Sequence, residues 1–178
     1  MGVVAGSRQS SQLDRRQAVG HVDAHSPEGR ARLGDGAAGS AVTVYLHTSN
    51  LMKLYVDEPG ADEVAAMVAA ASVVVTSALA YPEARATLAR RRRERLMTAR
   101  EHEAAVRQLD RDWPRLVTLP FDDGLARAAG RLAEAHALRG GDAAHLASFE
   151  AVLAAAGDKD VYFSCADERL ARVARALG

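Results

Sequence analysis

The fold is decided by a short apolar run that leads directly into a hydroxyl-rich helix start, VTVYLHTSN at residues 42–50. The run is β-branched and apolar up to Leu46, which predicts a buried strand. Thr48 or Ser49 follows at once as a residue that can cap a helix. His47 lies at the junction of the two elements, and its chemistry bears directly on function.

The rest of the chain continues this alternation of strands and helices. Further strands are predicted at residues 72–76, 115–119 and 161–164, and helices of ten or more residues separate them. Such spacing requires crossover connections, which make neighbouring strands parallel. We therefore predict an α/β, three-layer fold with a mainly parallel sheet of four to five strands flanked by helices. The Gly140-Gly141 pair is expected to end one helix and Asp142 to open the next.

Composition separates the two ends of the chain. Residues 1–40 are rich in Gly, Ser, Arg, Asp and His and lack any helical or strand period. Such a segment buries too little apolar surface to offset its ordering entropy, so we predict a disordered N-terminal extension before a domain at 42–178.

Bulk properties exclude several classes of protein. Lys and Arg number 23, as do Asp and Glu, so net charge favours neither a nucleic-acid nor a membrane partner. Cys165 is the only cysteine, which excludes an intrachain disulfide and fits a reducing cytoplasm. No apolar run reaches the roughly 18 residues that a membrane span needs. We expect a cytoplasmic protein with no membrane partner.

Acidic residues follow the other predicted strands. Glu83 comes after the second strand, Asp142 after the third and Asp167 after the fourth. Taken singly, Asp142 and Asp167 are typical helix caps, and Glu83 is typical of a solvated helix face. Strand ends of a parallel sheet converge, however, and clustered carboxylates repel one another unless a cation joins them. Oxygen ligands suit Mg²⁺ first and Mn²⁺ second, and the chemistry that such a site favours is phosphodiester hydrolysis.

Four segments resemble the motifs of PIN-domain proteins, in the same order and spacing: residues 45–49, 76–85, 139–147 and 163–170. The third is the most specific of them. The residues of these motifs resemble those of the VapC-type toxins of bacterial toxin–antitoxin pairs. That resemblance implies a homodimeric metal-dependent endoribonuclease, which cleaves RNA and is held inactive by a VapB-like antitoxin.

The resemblance also assigns roles to residues. It implies that Glu83, Asp142 and Asp167 are metal-binding catalytic acids and that Thr48 or Ser49 supports the site. The chain departs from the family at His47, where the usual pattern is Leu-Asp-Thr-Ser.

His47 changes what the site is expected to do. An imidazole binds a metal only when neutral and brings no negative charge, and it suits Mn²⁺ better than Mg²⁺. We expect His47 as the fourth metal-site residue and a low or absent Mg²⁺-dependent activity. The alternative is a catalytically inactive PIN-domain protein that binds RNA or antitoxin without cleavage. A phosphatase-like α/β hydrolase is a third alternative, although no acid is placed as an obvious nucleophile.

Four cations are candidate contacts for RNA phosphates: Arg85, Arg91, Arg92 and Arg139. Each has a simpler interpretation as well. Arg91 and Arg92 lie at a helix end, where cations suit the dipole. Arg85 would pair with an acid, and Arg139 would satisfy helix-end carbonyls. His145 is interpreted either as a packed residue or as a residue that supports a metal ligand, rather than as a ligand itself.

Overall fold

The structure is a computed structural model, and it describes residues 42–157 and 160–178. Its sheet has four strands, β1 (Thr43–Leu46), β2 (Val73–Ser77), β3 (Val117–Leu119) and β4 (Val161–Ser164). All neighbouring strands are parallel, in the order β3-β2-β1-β4. The predicted α/β class and parallel sheet are confirmed. The extension predicted at 1–40 lies outside the described residues.

Seven helices flank this sheet in the described part of the chain. They are α1 (Thr48–Lys53), α2 (Ala61–Ala70), α3 (Ala80–Arg93), α4 (Ala99–Asp112), α5 (Asp123–His136), α6 (Gly140–Ala156) and α7 (Glu168–Leu177). None of the helices described is long and apolar enough to cross a membrane.

The strands alternate their side chains between two cores, which produces the three layers. Val44 and Leu46 of β1 pack with Val74 against α1 to α4 on one face. Tyr45 and Val75 point to the other face and pack against α5 to α7. Both faces of β1 and β2 are covered, which explains why these two strands are continuous apolar runs and do not alternate between apolar and polar residues.

Two expected boundaries are wrong, and both errors come from local backbone geometry. The third strand was expected from Arg115, but Trp113–Arg115 forms a 3₁₀ turn and β3 begins at Val117. Gly140 and Gly141 do not end α5; they are the first two residues of α6. Ala137 closes α5 instead, with a left-handed φ of 50°.

Two of the three helix caps at the site differ from expectation, and the third, at Asp167, is confirmed. Asp142 is the third residue of α6, whose N-cap is Arg139. The N-cap of α1 is His47 rather than Thr48 or Ser49. Asp167 caps α7, since its carboxylate accepts hydrogen bonds from the N–H groups of Arg169 and Leu170.

Candidate active site at the carboxyl edge of the sheet

The strand order places the candidate site. β1 is central, with β2 on one side and β4 on the other, so the chain changes direction across the sheet at β1. Crevices at such switch points are the usual ligand sites of parallel sheets. His47 follows β1 there, and its N–H donates to the carbonyl of Ser164 at the end of β4, at 3.0 Å.

The hydrogen bonds of His47 fix its tautomer. The backbone N–H of Ser49 donates to Nδ1 at 3.1 Å, so Nδ1 is an acceptor without a proton. The proton of the ring is therefore on Nε2, which lies 3.3 Å from Oδ1 of Asp142. Donation from His47 is the main reason that the pKa of Asp142 lies below its ordinary value. Both ring nitrogens of His47 are thus engaged within the protein.

Glu83 meets a second histidine. Oε2 of Glu83 lies 3.1 Å from Nε2 of His145 and accepts a short hydrogen bond from the hydroxyl of Thr48. Burial on its own would raise the pKa of Glu83, but the hydrogen bonds from His145 and Thr48 outweigh it and lower the pKa. Glu83 is therefore an ionised carboxylate whose position is fixed by neighbours on α6 and α1.

His145 is fully buried, at 0% exposed, and joins the strand to the acids. Its Nδ1 lies 3.0 Å from the hydroxyl of Tyr45, and its ring centroid lies 4.4 Å from that of His47. Burial lowers the pKa of His145, so the ring is neutral near pH 7. Burial also raises the pKa of Tyr45, which keeps its hydroxyl protonated.

Asp167 shares a cavity with Asp142. The cavity has a volume of about 280 Å³ and lies between the end of α5 and the starts of α6 and α7; Arg139 and Arg169 also line it. Ser49 supports this side of the site, since its hydroxyl accepts from the N–H of Ala166 at 3.0 Å. The four predicted positions therefore lie at one edge of the sheet, with two acids facing histidines and the third capping a helix.

The three acids fit a hard divalent cation in charge and ligand type. The fourth position does not, because neither nitrogen of His47 is free and the ring adds no negative charge. Within residues 42–157 and 160–178, no group of three or more His, Cys, Asp or Glu side chains is arranged to hold a metal ion. Each carboxylate is held by a group of the protein instead. Asp142 is held by His47, Glu83 by His145 and Thr48, and Asp167 by N–H groups at the start of α7.

The four candidate arginines are distributed unevenly. Arg139 lines the cavity beside Asp142. Arg85 instead contacts α4, where it lies 3.5 Å from Asp110, and Arg91 lies 3.2 Å from Glu58. Arg92 is exposed near the end of α3. Of the four, only Arg139 lines the cavity that Asp142 and Asp167 share.

Comparison with known proteins agrees with this arrangement. The model of the PIN domain family matches residues 44–176, which is more than half of the chain. The chain belongs to the PIN-domain family. Two relatives come from Mycobacterium tuberculosis, Ribonuclease VapC45 of strain CDC 1551 / Oshkosh and Ribonuclease VapC49 of strain ATCC 25618 / H37Rv. Each is 37% identical over 135 residues, which is 76% of this chain and 91% of the relative. The resemblance to VapC-type PIN domains is therefore confirmed.

Sequence reasoning missed two residues of this PIN domain. Tyr45 was assigned only to a strand, although its hydroxyl contacts His145. Gly141 was assigned to a helix end, but a Cβ built at this position would lie 2.9 Å from Oε1 of Glu83. The available signal was the polar end of Tyr45 within an apolar strand; for Gly141 the sequence carries none, because the close approach depends on how α3 and α6 pack.

Proposed function

We propose that this PIN domain is a VapC-type endoribonuclease that cleaves RNA phosphodiesters with a divalent cation, Mg²⁺ or Mn²⁺, and that His47 lowers its activity. The observation that carries the proposal is the gathering of Glu83, Asp142 and Asp167 at one sheet edge within the PIN match. The two relatives are named ribonucleases, which supports RNA as the substrate.

The chain's own residues have distinct roles in this proposal. Glu83, Asp142 and Asp167 hold the cation, which supplies charge compensation and activation of water for phosphodiester hydrolysis. Thr48 orients Glu83 through its hydroxyl, and Arg139 binds a phosphate at the rim of the cavity. Both are positioning roles, since neither side chain exchanges a proton with the substrate.

His47 weakens the site for two physical reasons. Replacing a carboxylate removes one negative charge from the ligands that attract Mg²⁺, which strongly prefers oxygen donors. The Nε2 proton of His47 also points towards Asp142, where it satisfies a carboxylate oxygen in place of a cation. We expect Mn²⁺ to support more activity than Mg²⁺, because imidazole is a better ligand for Mn²⁺ once His47 gives up its contact with Asp142 to bind the cation.

The test is RNA cleavage by the full chain with Mg²⁺, with Mn²⁺ and after removal of both by a chelator. Cleavage that requires a divalent cation and disappears in Glu83→Gln and Asp142→Asn is expected. An Arg85→Gln variant is the matched control, since Arg85 contacts α4 rather than the acids. Cleavage that persists in the chelator, or that survives both acid substitutions, contradicts the proposal.

A second candidate is a PIN domain that binds RNA or antitoxin without cleaving RNA. It is favoured by the contact of His47 with Asp142, which satisfies the acid without a metal. RNA binding measured by fluorescence anisotropy, together with no cleavage in either cation, would support this candidate over the first.

The proposal extends to partners. We propose a cytoplasmic homodimer that a VapB-like antitoxin neutralises. An apolar groove of about 420 Å³ on α5 and α6 supports self-association, since Leu79, Phe121 and several alanines line it. Phe121 is 37% exposed there. Sedimentation velocity should give a dimer for the unchanged chain and a monomer for Phe121→Asp; a monomer in both contradicts the dimer.

A further inference from the structure

We propose that His145 is a positioning residue for Glu83: the Tyr45 hydroxyl binds Nδ1 of the ring, and the ring's Nε2–H holds Oε2 of Glu83, which sets Oε1 beside Gly141 at the start of α6. This inference rests on the proposed function, because it matters for activity only if Glu83 is one of the metal-binding acids. It adds two residues, His145 and Tyr45, that the PIN resemblance did not assign to the site.

The direction of the hydrogen bonds follows from the groups around Nε2. This nitrogen lies 3.1 Å from Oε2 of Glu83 and 3.0 Å from Oγ1 of Thr48. The carboxylate only accepts, and the single proton of Thr48 is donated to the same carboxylate. Nε2 therefore faces two acceptors and must carry a proton. In the neutral ring Nδ1 is then free to accept from Tyr45, whose hydroxyl lies at 3.0 Å.

Burial and packing hold the His145 ring in one orientation. His145 is 0% exposed and lies on α6 among buried residues. Tyr45 is equally buried, and its ring packs edge-on against His145 with centroids 6.0 Å apart. Since rotation of His145 would take Nε2–H away from Glu83 and Nδ1 away from the Tyr45 hydroxyl in a buried environment, the arrangement is held by the cost of unsatisfied polar groups on the ring.

Glu83 is confined from two sides as a result. Thr48 and His145 hold Oε2, while Oε1 lies against the backbone at Gly141, where a Cβ would lie only 2.9 Å away. A carboxylate fixed in this way loses little rotamer freedom when it binds a cation. Groups that orient a metal ligand in other proteins change metal affinity by about 10- to 100-fold when removed, which is the effect expected for His145.

The first experiment observes the ring directly. Long-range proton–nitrogen correlation NMR of ¹⁵N-labelled protein is expected to show His145 with a proton on Nε2 and none on Nδ1. Tyr45→Phe, which removes only the hydroxyl, should make the Nε2 proton exchange faster with water. A ring that carries no proton on Nε2 overturns the proposal, and so does an Nε2 proton whose exchange is unchanged in Tyr45→Phe.

The second experiment measures the consequence in the His47→Asp background, where metal affinity is expected to be highest. Calorimetric Mn²⁺ binding should weaken at least about tenfold in His145→Leu and recover most of that loss in His145→Gln, whose amide N–H can replace Nε2–H. His102→Leu, on the first turn of α4 and outside the cavity that the acids line, is the control and should leave binding unchanged. Equal affinities for the Leu and Gln variants contradict the proposal.

The two experiments separate this inference from the proposed function. If no variant binds Mn²⁺, the proposed metal-dependent function fails, whereas the NMR result still decides whether His145 holds Glu83. Urea unfolding of each variant identifies any that fail to fold, and Tyr45→Phe tests the same contact with a smaller change.

Discussion

Gly141→Ala should separate the position of Glu83 from the stability of the fold. The new Cβ would lie 2.9 Å from Oε1 of Glu83, against the 3.4 Å of ordinary contact, so the carboxylate must move by about 0.5 Å. The obstructing atom belongs to a side chain and not to the backbone, so the fold itself need not shift, while the hydrogen bonds of Glu83 to His145 and Thr48 must adjust. Alanine also favours helix more than glycine, by up to about 1 kcal/mol in a helix interior and less at the second position of α6.

The expected result is a loss of rate without a loss of stability. A misplacement of about 1 Å costs roughly 100-fold in rate, so a shift of half that size should lower kcat by about tenfold. KM for RNA should stay unchanged, because Oε1 is not a substrate-binding group. The free energy of unfolding in urea should stay the same or rise by about 0.5 kcal/mol.

The chain offers a matched control one residue away. Gly140 is the first residue of α6, and a Cβ there meets nothing within 4 Å. Gly140→Ala should therefore keep full activity. Both variants are best assayed in the His47→Asp background, whose cleavage is expected to be the faster. If Gly141→Ala cleaves RNA as fast as Gly140→Ala, the account of Glu83 is refuted.

Three further predictions test a cap, a cation and an acid. The N–H of Thr98 and, to a smaller extent, its hydroxyl donate hydrogen bonds to the Glu101 carboxylate. These bonds hold the pKa of Glu101 below its ordinary value. At pH values above the unfolded pKa of about 4.3, Glu101→Ala should lower the free energy of unfolding by about 0.5 to 1 kcal/mol. Urea unfolding should show that this difference disappears as the pH falls through the lower pKa of the folded state. Arg92→Glu should weaken RNA binding and lower the salt slope of anisotropy titrations by about 1. Arg91→Glu should have a smaller effect, because the guanidinium of Arg91 already pairs with Glu58. Unchanged salt slopes in both variants would show that neither arginine contacts RNA. Asp167→Asn should keep the cap of α7, with stability within about 0.5 kcal/mol, yet slow RNA cleavage at least about tenfold; undiminished cleavage would leave Asp167 as a cap alone.

The fold was predictable because its signals are local and repeated. β1 and β2 are covered on both faces. Their continuous apolar residues therefore predict buried parallel strands. Thr98 and Glu101 form a capping box, which their Thr-x-x-Glu spacing is sufficient to predict. Boundaries failed at Gly140, where glycine was taken as a stop signal although Ala137 adopts the left-handed turn.

The positions of the site were predictable, but its hydrogen bonds were not. Strand ends at His47 and Asp167 follow from chain order and the convergence of parallel strands. The contact of His145 with Glu83 joins residues 62 positions apart and depends on how α3 and α6 cross. Chain order carries no such information, so the sequence could not show that His145 contacts Glu83, and Arg85 could not be separated from the site.

The lowered Mg²⁺-dependent activity that we assign to His47 can be measured by restoring the carboxylate. Single-turnover RNA cleavage should be compared between the unchanged chain and His47→Asp at the same Mg²⁺ concentration. Asp is a good N-cap, so the variant keeps the start of α1 while restoring a carboxylate beside Asp142. We predict that His47→Asp cleaves at least about tenfold faster in Mg²⁺, since loss of a group that only orients a metal ligand already costs about 10- to 100-fold. Equal rates in the two proteins would contradict it.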